Sequence, residues 1–383
     1  MVAPDASGVS TIARAVQPVS VYLMVNTFET GGSERQFAVL AKNLDPSKFQ
    51  VHLGCVSHRG ALADQFVNVP QFPLGGSLFG WRSVRSRLQL RKHLRTNLVD
   101  IAHAFDFYAN LTLIPAARLA GVPVVIGSHR QLGDLMTTAQ FRAQAAAFRW
   151  CDAVVCNSHA AAARLSAHGV PRKKLRVIGN ALPREAFAPA PPALPRRSGV
   201  LRVGMVARMN AHYKNYAGFL RIASIVHTQL PNVEFLLAGD GPLRPELEKQ
   251  AVALDIANSA LFLGDRRDIP AVLASLDLAV LTSDSESLSN VILEAMAARL
   301  PVIAYDVGGN SELINDQRGA LITAAEENNF AASVIRYLSD ADLRARVGEN
   351  ARRFVEENFT LDHTRAQYED LYLTMLDRKG RGR

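Results

Sequence analysis

Short apolar runs alternate with amphipathic helical patterns along most of the chain. In the first half, continuous apolar runs predict buried strands at residues 19–26, 51–57, 101–104, 122–127, 153–157 and 175–178. Most of these runs are followed by a helix-like segment, the first of them at residues 33–44. Strands that alternate with helices along a chain are typical of a parallel sheet with crossover helices.

The alternation stops at residues 180–199, where prolines cluster at positions 183, 189, 191, 192 and 195. Such a composition predicts a linker. Beyond it the alternation restarts, with predicted strands at residues 201–207, 233–238, 260–263, 278–282, 301–305 and 320–323, and residues 340–379 are mostly helical in pattern. The sequence therefore predicts an α/β protein with two doubly wound, Rossmann-like domains that face each other across a cleft.

These patterns divide the chain into a flexible N-terminal tail at residues 1–18, a first domain at 19–180, a Pro-rich linker at 181–199, a second domain at 200–365 and a C-terminal helix at 366–383. The tail lacks the apolar core of a secretory signal. No apolar run approaches the roughly 18 residues that a membrane-spanning helix needs. Because doubly wound sheets bind ligands at the carboxyl ends of their strands, we expect the site residues there.

The composition is that of a soluble globular protein, with 48% hydrophobic and 20% charged residues in a chain of 383. Its three cysteines are too few for a disulfide framework, which fits a reducing cytoplasm. Cys151 and Cys156 lie near His159, but this cluster lacks the second pair of ligands that a zinc site needs. We therefore expect a cytoplasmic protein without a metal site.

Positive charge is concentrated in the first half of the chain. Residues 1–190 contain 21 Lys and Arg against 10 Asp and Glu, a net charge of +11, whereas the remainder has 22 against 25, a net charge of −3. The densest basic stretch is residues 81–95, with Arg82, Arg85, Arg91, Lys92 and Arg95. Such a stretch binds nucleic acid, binds an anionic membrane surface or is simply a solvated helix face. No nucleic-acid-binding motif accompanies it, so we expect no nucleic acid partner.

Two basic residues follow the first predicted strand of the second domain. Arg208 ends that strand and Lys214 follows six residues later, in the loop that leads to the next helix. A guanidinium fork and a point charge at one strand end suit a diphosphate. An Arg and a Lys in a loop are more often solvated, so this pair alone is weak evidence.

Two glutamates separated by seven residues follow the predicted strand at 278–282. Glu286 lies in the Ser-rich loop, and Glu294 lies near the end of the first turn of the next helix, capped by Ser289 or Asn290. The free backbone N–H groups at that helix N-terminus form a ready site for phosphate. The alternatives are a solvated loop charge and an acidic residue stabilised by the helix dipole.

Other strand ends carry glycines and histidines. In G-G-S-E-R-Q at residues 31–36, glycine either lets a ligand approach the backbone or forms a plain turn. The segments at 239–242 and 306–312 are predicted to be turns. His103 and His129 each end a first-domain strand, where a histidine either donates a proton or is a satisfied buried side chain, and for His103 we favour the second.

Taken together, these segments resemble the retaining glycosyltransferases of family 4, also described as glycosyl transferases group 1, which have the two-domain GT-B fold. The similarity covers about residues 19–375 and runs in order from G-G-S-E-R through V-A-R-M-N-A-H-Y-K-N and A-G-D-G-P-L to E-S-L-S-N-V-I-L-E-A-M-A-A-R-L-P-V-I-A-Y-D-V-G-G-N-S-E-L-I. The two spaced glutamates with the trailing P-V-I-A are the specific part.

The resemblance implies a nucleotide-sugar donor held mainly by the second domain, with no metal cofactor. Arg208 and Lys214 would contact the diphosphate, and Glu294 would accept hydrogen bonds from the ribose hydroxyls. Glu286 would hold the hydroxyls of the transferred sugar, and Gly32 would let the diphosphate approach the first domain. The sugar and phosphates would be lined by Ser287, Leu288, Ser289 and Asn290.

On the first domain, the resemblance places His129 near the reacting centre on the acceptor side, and the last helix would cross back onto this domain. The family retains anomeric configuration. Because no convincing first-domain carboxylate is found for a two-carboxylate scheme, we favour a same-face attack in which the diphosphate takes the acceptor's proton. The sequence departs from the family at E-S-L-S-N, where E-G-x-P-N is common, so Ser287 is expected to narrow the sugar pocket. It also departs at N-A-L-P (residues 180–183) and at Arg299.

We therefore expect a UDP- or GDP-sugar as donor and a saccharide or lipid-linked acceptor, in surface polysaccharide or glycolipid synthesis. The basic stretch at residues 81–95 is hypothesised to hold the enzyme on the cytoplasmic face of an anionic membrane. Two alternatives remain. One is a nucleotide-sugar epimerase of the same fold, and the other is a non-catalytic nucleotide-sugar binder.

Overall fold

The computed structural model describes residues 17–78 and 80–380. Most of the predicted N-terminal tail and the last three residues of the predicted C-terminal helix lie outside this range. In the described part, two six-stranded sheets form, and every strand pair within them is parallel. This confirms the predicted α/β fold with two Rossmann-like domains.

The first sheet has the order β2-β1-β3-β4-β5-β6. Its strands are β1 (Val19–Val25), β2 (Phe49–Cys55), β3 (Ile101–Ala104), β4 (Val124–His129), β5 (Ala153–Cys156) and β6 (Leu175–Val177). The helices between them are α1 (Gly32–Asn43), α2 (Trp81–Thr96), α3 (Phe107–Ala120), α4 (Thr138–Phe148) and α5 (His159–Ala167). The central strands are buried along their whole length because helices cover both faces of the sheet.

The second sheet has the order β12-β11-β10-β7-β8-β9. Its strands are β7 (Leu201–Val206), β8 (Val233–Ala238), β9 (Ala260–Gly264), β10 (Leu278–Leu281), β11 (Val302–Tyr305) and β12 (Gly319–Ile322). The helices that follow in this half are α6 (Tyr216–Gln229), α7 (Arg244–Ala253), α8 (Ile269–Ala274), α9 (Asn290–Ala297), α10 (Asn310–Leu313), α11 (Glu327–Ser339), α12 (Ala341–Asn358) and α13 (Leu361–Asp377).

One strand begins later than its apolar pattern predicts. Residues 122–127 are predicted as a strand, whereas β4 spans Val124–His129. Gly121 ends α3 in the left-handed conformation, with φ at 77°, and Pro123 lacks the N–H that a sheet ladder needs. The turn therefore extends to Pro123, and His129 becomes the last residue of the strand.

The last helix, α13, lies on the first domain. Tyr368, Leu371 and Tyr372 belong to the hydrophobic cluster that contains one face of β1 and the buried face of α1. The Tyr372 hydroxyl is 2.7 Å from His103 Nδ1 in the centre of the first sheet. Between the two sheets, the Pro-rich segment pairs with the α12–α13 junction, where Leu182 N donates to the Phe359 carbonyl at 2.8 Å.

Candidate active site

A cleft of about 430 Å³ lies between the carboxyl ends of the two sheets, and we call it the central cleft. Nine of the ten predicted site residues line it: Gly32, Arg208, Lys214, Glu286, Ser287, Leu288, Ser289, Asn290 and Glu294. The tenth, His129, lines a smaller cavity beside it on the first domain, which we call the side cavity. The structure thus brings residues from three separate stretches of the chain to one place.

Arg208 reaches the cleft from the segment that follows β7. A glycine turn supports this segment, because a Cβ on Gly239, whose φ is 142°, would lie 1.8 Å from the Ala207 carbonyl oxygen. The turn predicted at residues 239–242 is therefore confirmed as a turn that packs under the Arg208 segment. The Arg208 guanidinium donates a hydrogen bond to Thr30 Oγ1 of the first domain.

Lys214 and Glu286 form an ion pair inside the cleft. The distance between Lys214 Nζ and Glu286 Oε1 is 2.6 Å, and only 21% and 11% of the two side chains are exposed. The Glu286 loop is fixed by the turn after β11, since Gly309 N donates to the Glu286 carbonyl at 3.1 Å. A Cβ on Gly308 would lie 1.8 Å from the same carbonyl oxygen, so this approach requires glycine. The pair places a cation and an anion side by side where the sequence predicts diphosphate and sugar.

The N-terminus of α9 contributes backbone N–H groups beside this pair. Ser289 is the N-cap, and its hydroxyl accepts a hydrogen bond from Ile292 N. Glu294 lies one turn further along α9, where burial raises its pKa and the nearby Arg35 lowers it. The distance from Arg35 Nη1 to Glu294 Oε1 is 3.4 Å, so a first-domain cation contacts the carboxylate predicted to bind ribose.

Ser287, which was expected to narrow the sugar pocket, turns its side chain to the first domain. Its hydroxyl donates to Asn157 Oδ1 at 2.6 Å and lies 3.2 Å from the Ser158 hydroxyl. Asn157 and Ser158 directly follow β5. The Ser287 side chain therefore joins the Glu286 loop to the first sheet.

Two residues that the sequence analysis did not select hold this loop from the other side. Asn180 Nδ2 donates to Asn290 Oδ1 at 2.6 Å and to the Leu288 carbonyl at 3.2 Å. Arg130 donates to Asn180 Oδ1 and, at 3.0 Å, to the Tyr368 hydroxyl. The only sequence signal for these contacts was that Asn180 begins the N-A-L-P segment at the predicted hinge.

The two histidines of the first domain differ in their surroundings. His103 is fully buried, bonded through both ring nitrogens to Tyr372 and Ser128, and burial lowers its pKa to about 3. It is the satisfied core histidine that the sequence favours. His129 is also buried, with Gln144 Nε2 at 2.8 Å from its Nδ1, and burial lowers its pKa to about 4. At neutral pH both rings are uncharged.

The described residues contain no group of three or more His, Cys, Asp and Glu side chains arranged to hold a metal ion. In the same part of the chain, no helix is both long enough and apolar enough to cross a membrane.

Comparison with known proteins matches both halves of the chain. Residues 30–185 match the model of "Glycosyltransferase Family 4", and residues 190–354 match that of "Glycosyl transferases group 1". The chain is 28% identical over 316 residues to alpha-D-kanosaminyltransferase of Streptomyces kanamyceticus. This alignment covers 76% of this chain and 80% of the relative. It is also 28% identical over 320 residues to UDP-Gal:alpha-D-GlcNAc-diphosphoundecaprenol alpha-1,3-galactosyltransferase of Escherichia coli, covering 78% and 81% of the two chains.

Among solved structures, Anabaena Alr3699/HepE in complex with UDP superposes with a TM-score of 0.80 at 21% identity, covering 92% of this chain and 99% of that one. At that identity the similarity shows the fold. Together with the two family models, it identifies the architecture of two facing Rossmann-like domains as GT-B. The chain therefore belongs to the glycosyltransferases that combine a family 4 first half with a group 1 second half, and it is a glycosyltransferase of the GT-B fold.

Proposed function

We propose that this glycosyltransferase moves a sugar from a UDP- or GDP-sugar to a saccharide or lipid-linked acceptor with retention of anomeric configuration. One observation carries the proposal. Arg208, Lys214 and the N-terminus of α9 meet Glu286 and Glu294 in one cleft between the two domains. The site thus combines positive charge for a diphosphate with carboxylates for sugar and ribose hydroxyls.

The donor would lie across the central cleft. Its diphosphate would bind Arg208, Lys214 and the α9 N–H groups, and Lys214 would exchange part of its contact with Glu286 for phosphate. Glu294 would accept from the ribose in place of Arg35. The names of two similar proteins favour UDP over GDP, because one was solved with UDP and the other uses UDP-Gal.

Catalysis would rest on fixed positive charge. Negative charge grows on the diphosphate as the glycosidic bond breaks, and one preorganised donor at such a position is commonly worth about 10²–10³ in rate. Since Arg208, Lys214 and the helix N-terminus supply this charge, we expect activity without a metal ion. The acceptor would attack on the face from which the diphosphate leaves, without a covalent sugar–protein adduct. Trapping such an adduct would refute this scheme.

The acceptor side of the molecule favours a lipid-linked saccharide. The Escherichia coli relative is named for a diphosphoundecaprenol acceptor. On α2 of this chain, Trp81 is 76% exposed and Leu88 is 47% exposed, and the exposed Arg85 and Lys92 lie on the same side of the helix. Apolar and basic side chains on one helix face suit the interface of an anionic membrane. We propose that this face holds a cytoplasmic enzyme at the membrane during surface polysaccharide synthesis.

Two arginines of the predicted basic stretch have another role. Arg91 Nε donates to the Leu119 carbonyl at 3.0 Å, and Arg95 Nε donates to the Ala120 carbonyl at 3.1 Å. They bind the C-terminus of α3 and fasten α2 beside it. Flotation with liposomes tests the membrane contact. We expect Arg85→Gln with Lys92→Gln to lower binding to anionic vesicles, whereas equal flotation in neutral lipid would contradict an electrostatic contact.

The central test is a thermal-shift panel of UDP-, GDP- and ADP-sugars on the wild type and on Glu294→Ala, with and without EDTA. A ligand at about 100 times its Kd stabilises by about 2.7 kcal/mol. We expect a shift with one nucleotide class that persists in EDTA and is weakened in the variant. No shift with any nucleotide-sugar would refute the proposed function. If analysis of the recovered nucleotide-sugar showed that it had been isomerised in the absence of an acceptor, the protein would be an epimerase instead.

A further inference from the structure

The side cavity is a second recess of about 290 Å³ on the first domain. It is bounded by the segments that follow β1 and β3, by the end of β4 and by the start of α1. Gly32, Arg130 and Gln131 line both this cavity and the central cleft, so the two spaces adjoin. A molecule in the side cavity would therefore meet a donor in the central cleft near Gly32.

Glu34 stands at this junction. It is the third residue of α1 and lines the side cavity, whereas Gly31 lines the central cleft and Gly32 lines both spaces. Its carboxylate packs on the glycine turn, because a Cβ on Gly31 would lie 2.3 Å from Glu34 Oε2. Gly31 thus leaves room for the carboxylate beside the place proposed for the diphosphate.

The other carboxyl group of the side cavity is already engaged, whereas the buried His129 Nε2 and Gln144 Oε1 have no hydrogen-bond partner among the described residues. The Asp106 carboxylate caps α3, accepting from Ala109 N at 3.0 Å and from Asn26 N at 2.5 Å. His129 is uncharged at neutral pH and bonded to Gln144. Among the described residues, no side-chain donor is hydrogen-bonded to the Glu34 carboxylate. Glu34 is therefore the carboxyl group of this cavity that is free to accept from a ligand.

Several charges set the protonation of Glu34. The pKa of Glu34 is raised to about 7, mainly by burial; its own backbone N–H and the guanidinium of Arg208 lower this pKa, and the carboxylates of Asp106 and Glu29 raise it. The remaining charged group that lines the cavity is Arg130, which is bonded to Asn180 and Tyr368. A carboxyl group with such a pKa exchanges protons readily near neutral pH.

We propose that Glu34 binds the reacting hydroxyl of the acceptor and takes its proton during sugar transfer. This inference rests on the proposed function and replaces the diphosphate as the proton acceptor. The hydroxyl oxygen forms the bond to the anomeric carbon, and its proton passes to Glu34. The bond from the anomeric carbon to the diphosphate breaks, and its electron pair leaves with the diphosphate. Because Glu34 packs on Gly31 and is close enough to Arg208 to feel its charge, it lies next to the place proposed for the diphosphate, which suits a same-face attack.

The test uses the full-length protein and the nucleotide-sugar that gives the largest shift in the panel, with water as acceptor and nucleotide release measured from pH 5.5 to 8.5. We expect Glu34→Gln to lower turnover by about 10² or more, a usual range for a lost general base, while the donor-induced thermal shift is unchanged. The wild-type rate should fall below about pH 7 as Glu34 is protonated, and this acid limb should be absent in Glu34→Gln.

Glu29→Gln is the matched control. Glu29 is exposed, lies five residues before Glu34 and lines neither space. We expect it to keep its turnover and to move the acid limb to lower pH, because its charge is one of those that raise the pKa of Glu34. Glu34→Asp, which keeps the carboxyl group, should retain an acid limb at a reduced rate.

Stability gives a readout independent of turnover. The folded-state pKa of Glu34 is raised, so its contribution to stability is present below about pH 4.5 and is lost as pH rises through about 7. Glu34→Gln should therefore unfold at a higher temperature than wild type at pH 8, with the difference vanishing near pH 4.5. Unchanged turnover or a persistent acid limb in Glu34→Gln would overturn the Glu34 assignment alone. A wild type that binds no nucleotide-sugar would overturn the proposed function together with it.

Discussion

The contact of Glu312 with the first domain allows a quantitative prediction. Glu312 lies on α10 of the second domain, and its two carboxylate oxygens accept hydrogen bonds from His159 N at 2.8 Å and Ala160 N at 2.9 Å. These are the first two N–H groups of α5, and the Ser158 hydroxyl accepts from the third, at Ala161 N, at 3.1 Å. A side chain from one domain thus completes the cap of a helix in the other.

The energy of this contact follows from its geometry. A hydrogen bond to a charged group contributes about 1.5–3 kcal/mol, and a carboxylate at a helix N-terminus about 0.3–1 kcal/mol. Because Glu312 is only half-buried, solvent screening lowers each bond below this range, to about 1 kcal/mol, or about 2 kcal/mol for the pair of bonds. Since 1.4 kcal/mol is a factor of ten, this corresponds to roughly 30-fold protection of the two amides.

We therefore expect Glu312→Ala to speed hydrogen exchange at the start of α5 by roughly 30-fold, measured by mass spectrometry on peptides that cover residues 158–165. Glu357→Ala is the matched control, because Glu357 is an exposed carboxylate on α12 with no hydrogen-bond partner among the described residues. Exchange that is the same in both variants would refute the assignment of Glu312 as the cap.

A second variant removes one of the two hydrogen-bond donors to Glu312, the backbone N–H of His159. His159 is the first helical residue, where proline is tolerated, and Ser158 before it has the extended backbone (φ −148°, ψ 157°) that proline requires. His159→Pro should lower the unfolding temperature in the wild type and have little effect in Glu312→Ala. An equal loss in both backgrounds would show that the two residues are not coupled.

Four further variants test the loop of Glu286 and its contacts. Lys214→Met should weaken UDP binding by about 10-fold or more, through loss of a charge-assisted contact, whereas Glu286→Gln should preserve binding and lower turnover, as calorimetry and nucleotide release would report. Ser287→Gly should cost about 1 kcal/mol of stability, because it loses the bond to Asn157, and should leave the order of donors in the thermal-shift panel unchanged. A Cβ on Gly309 would lie 1.9 Å from the Ser287 carbonyl oxygen, so Gly309→Ala should cost about 1–3 kcal/mol in chemical unfolding. Tighter UDP binding in Lys214→Met, a changed donor order in Ser287→Gly or full stability in Gly309→Ala would contradict the corresponding contact.

The fold could be predicted from the sequence because its signals are local. Each buried strand is a continuous apolar run, and each helix shows the amphipathic period of hydrophobic positions that is typical of a helix. The alternation of β10, α9 and β11 can therefore be recognised in the sequence without any long-range information. The grouping of Arg208, Lys214 and Glu294 could also be predicted, since the carboxyl ends of parallel strands meet at one edge of a sheet.

The sequence by itself therefore determined two α/β domains and the set of residues at their facing edges. Only the tertiary structure decided which partner each of these side chains has. Ser287 bonds to Asn157, 130 residues away, and Glu312 caps an α-helix 152 and 153 residues away. Glu34 became a candidate base because folding buries it beside Asp106 and next to the glycine turn. Such contacts depend on how two sheets are placed against each other, and no local pattern of hydrophobic and polar residues encodes that placement.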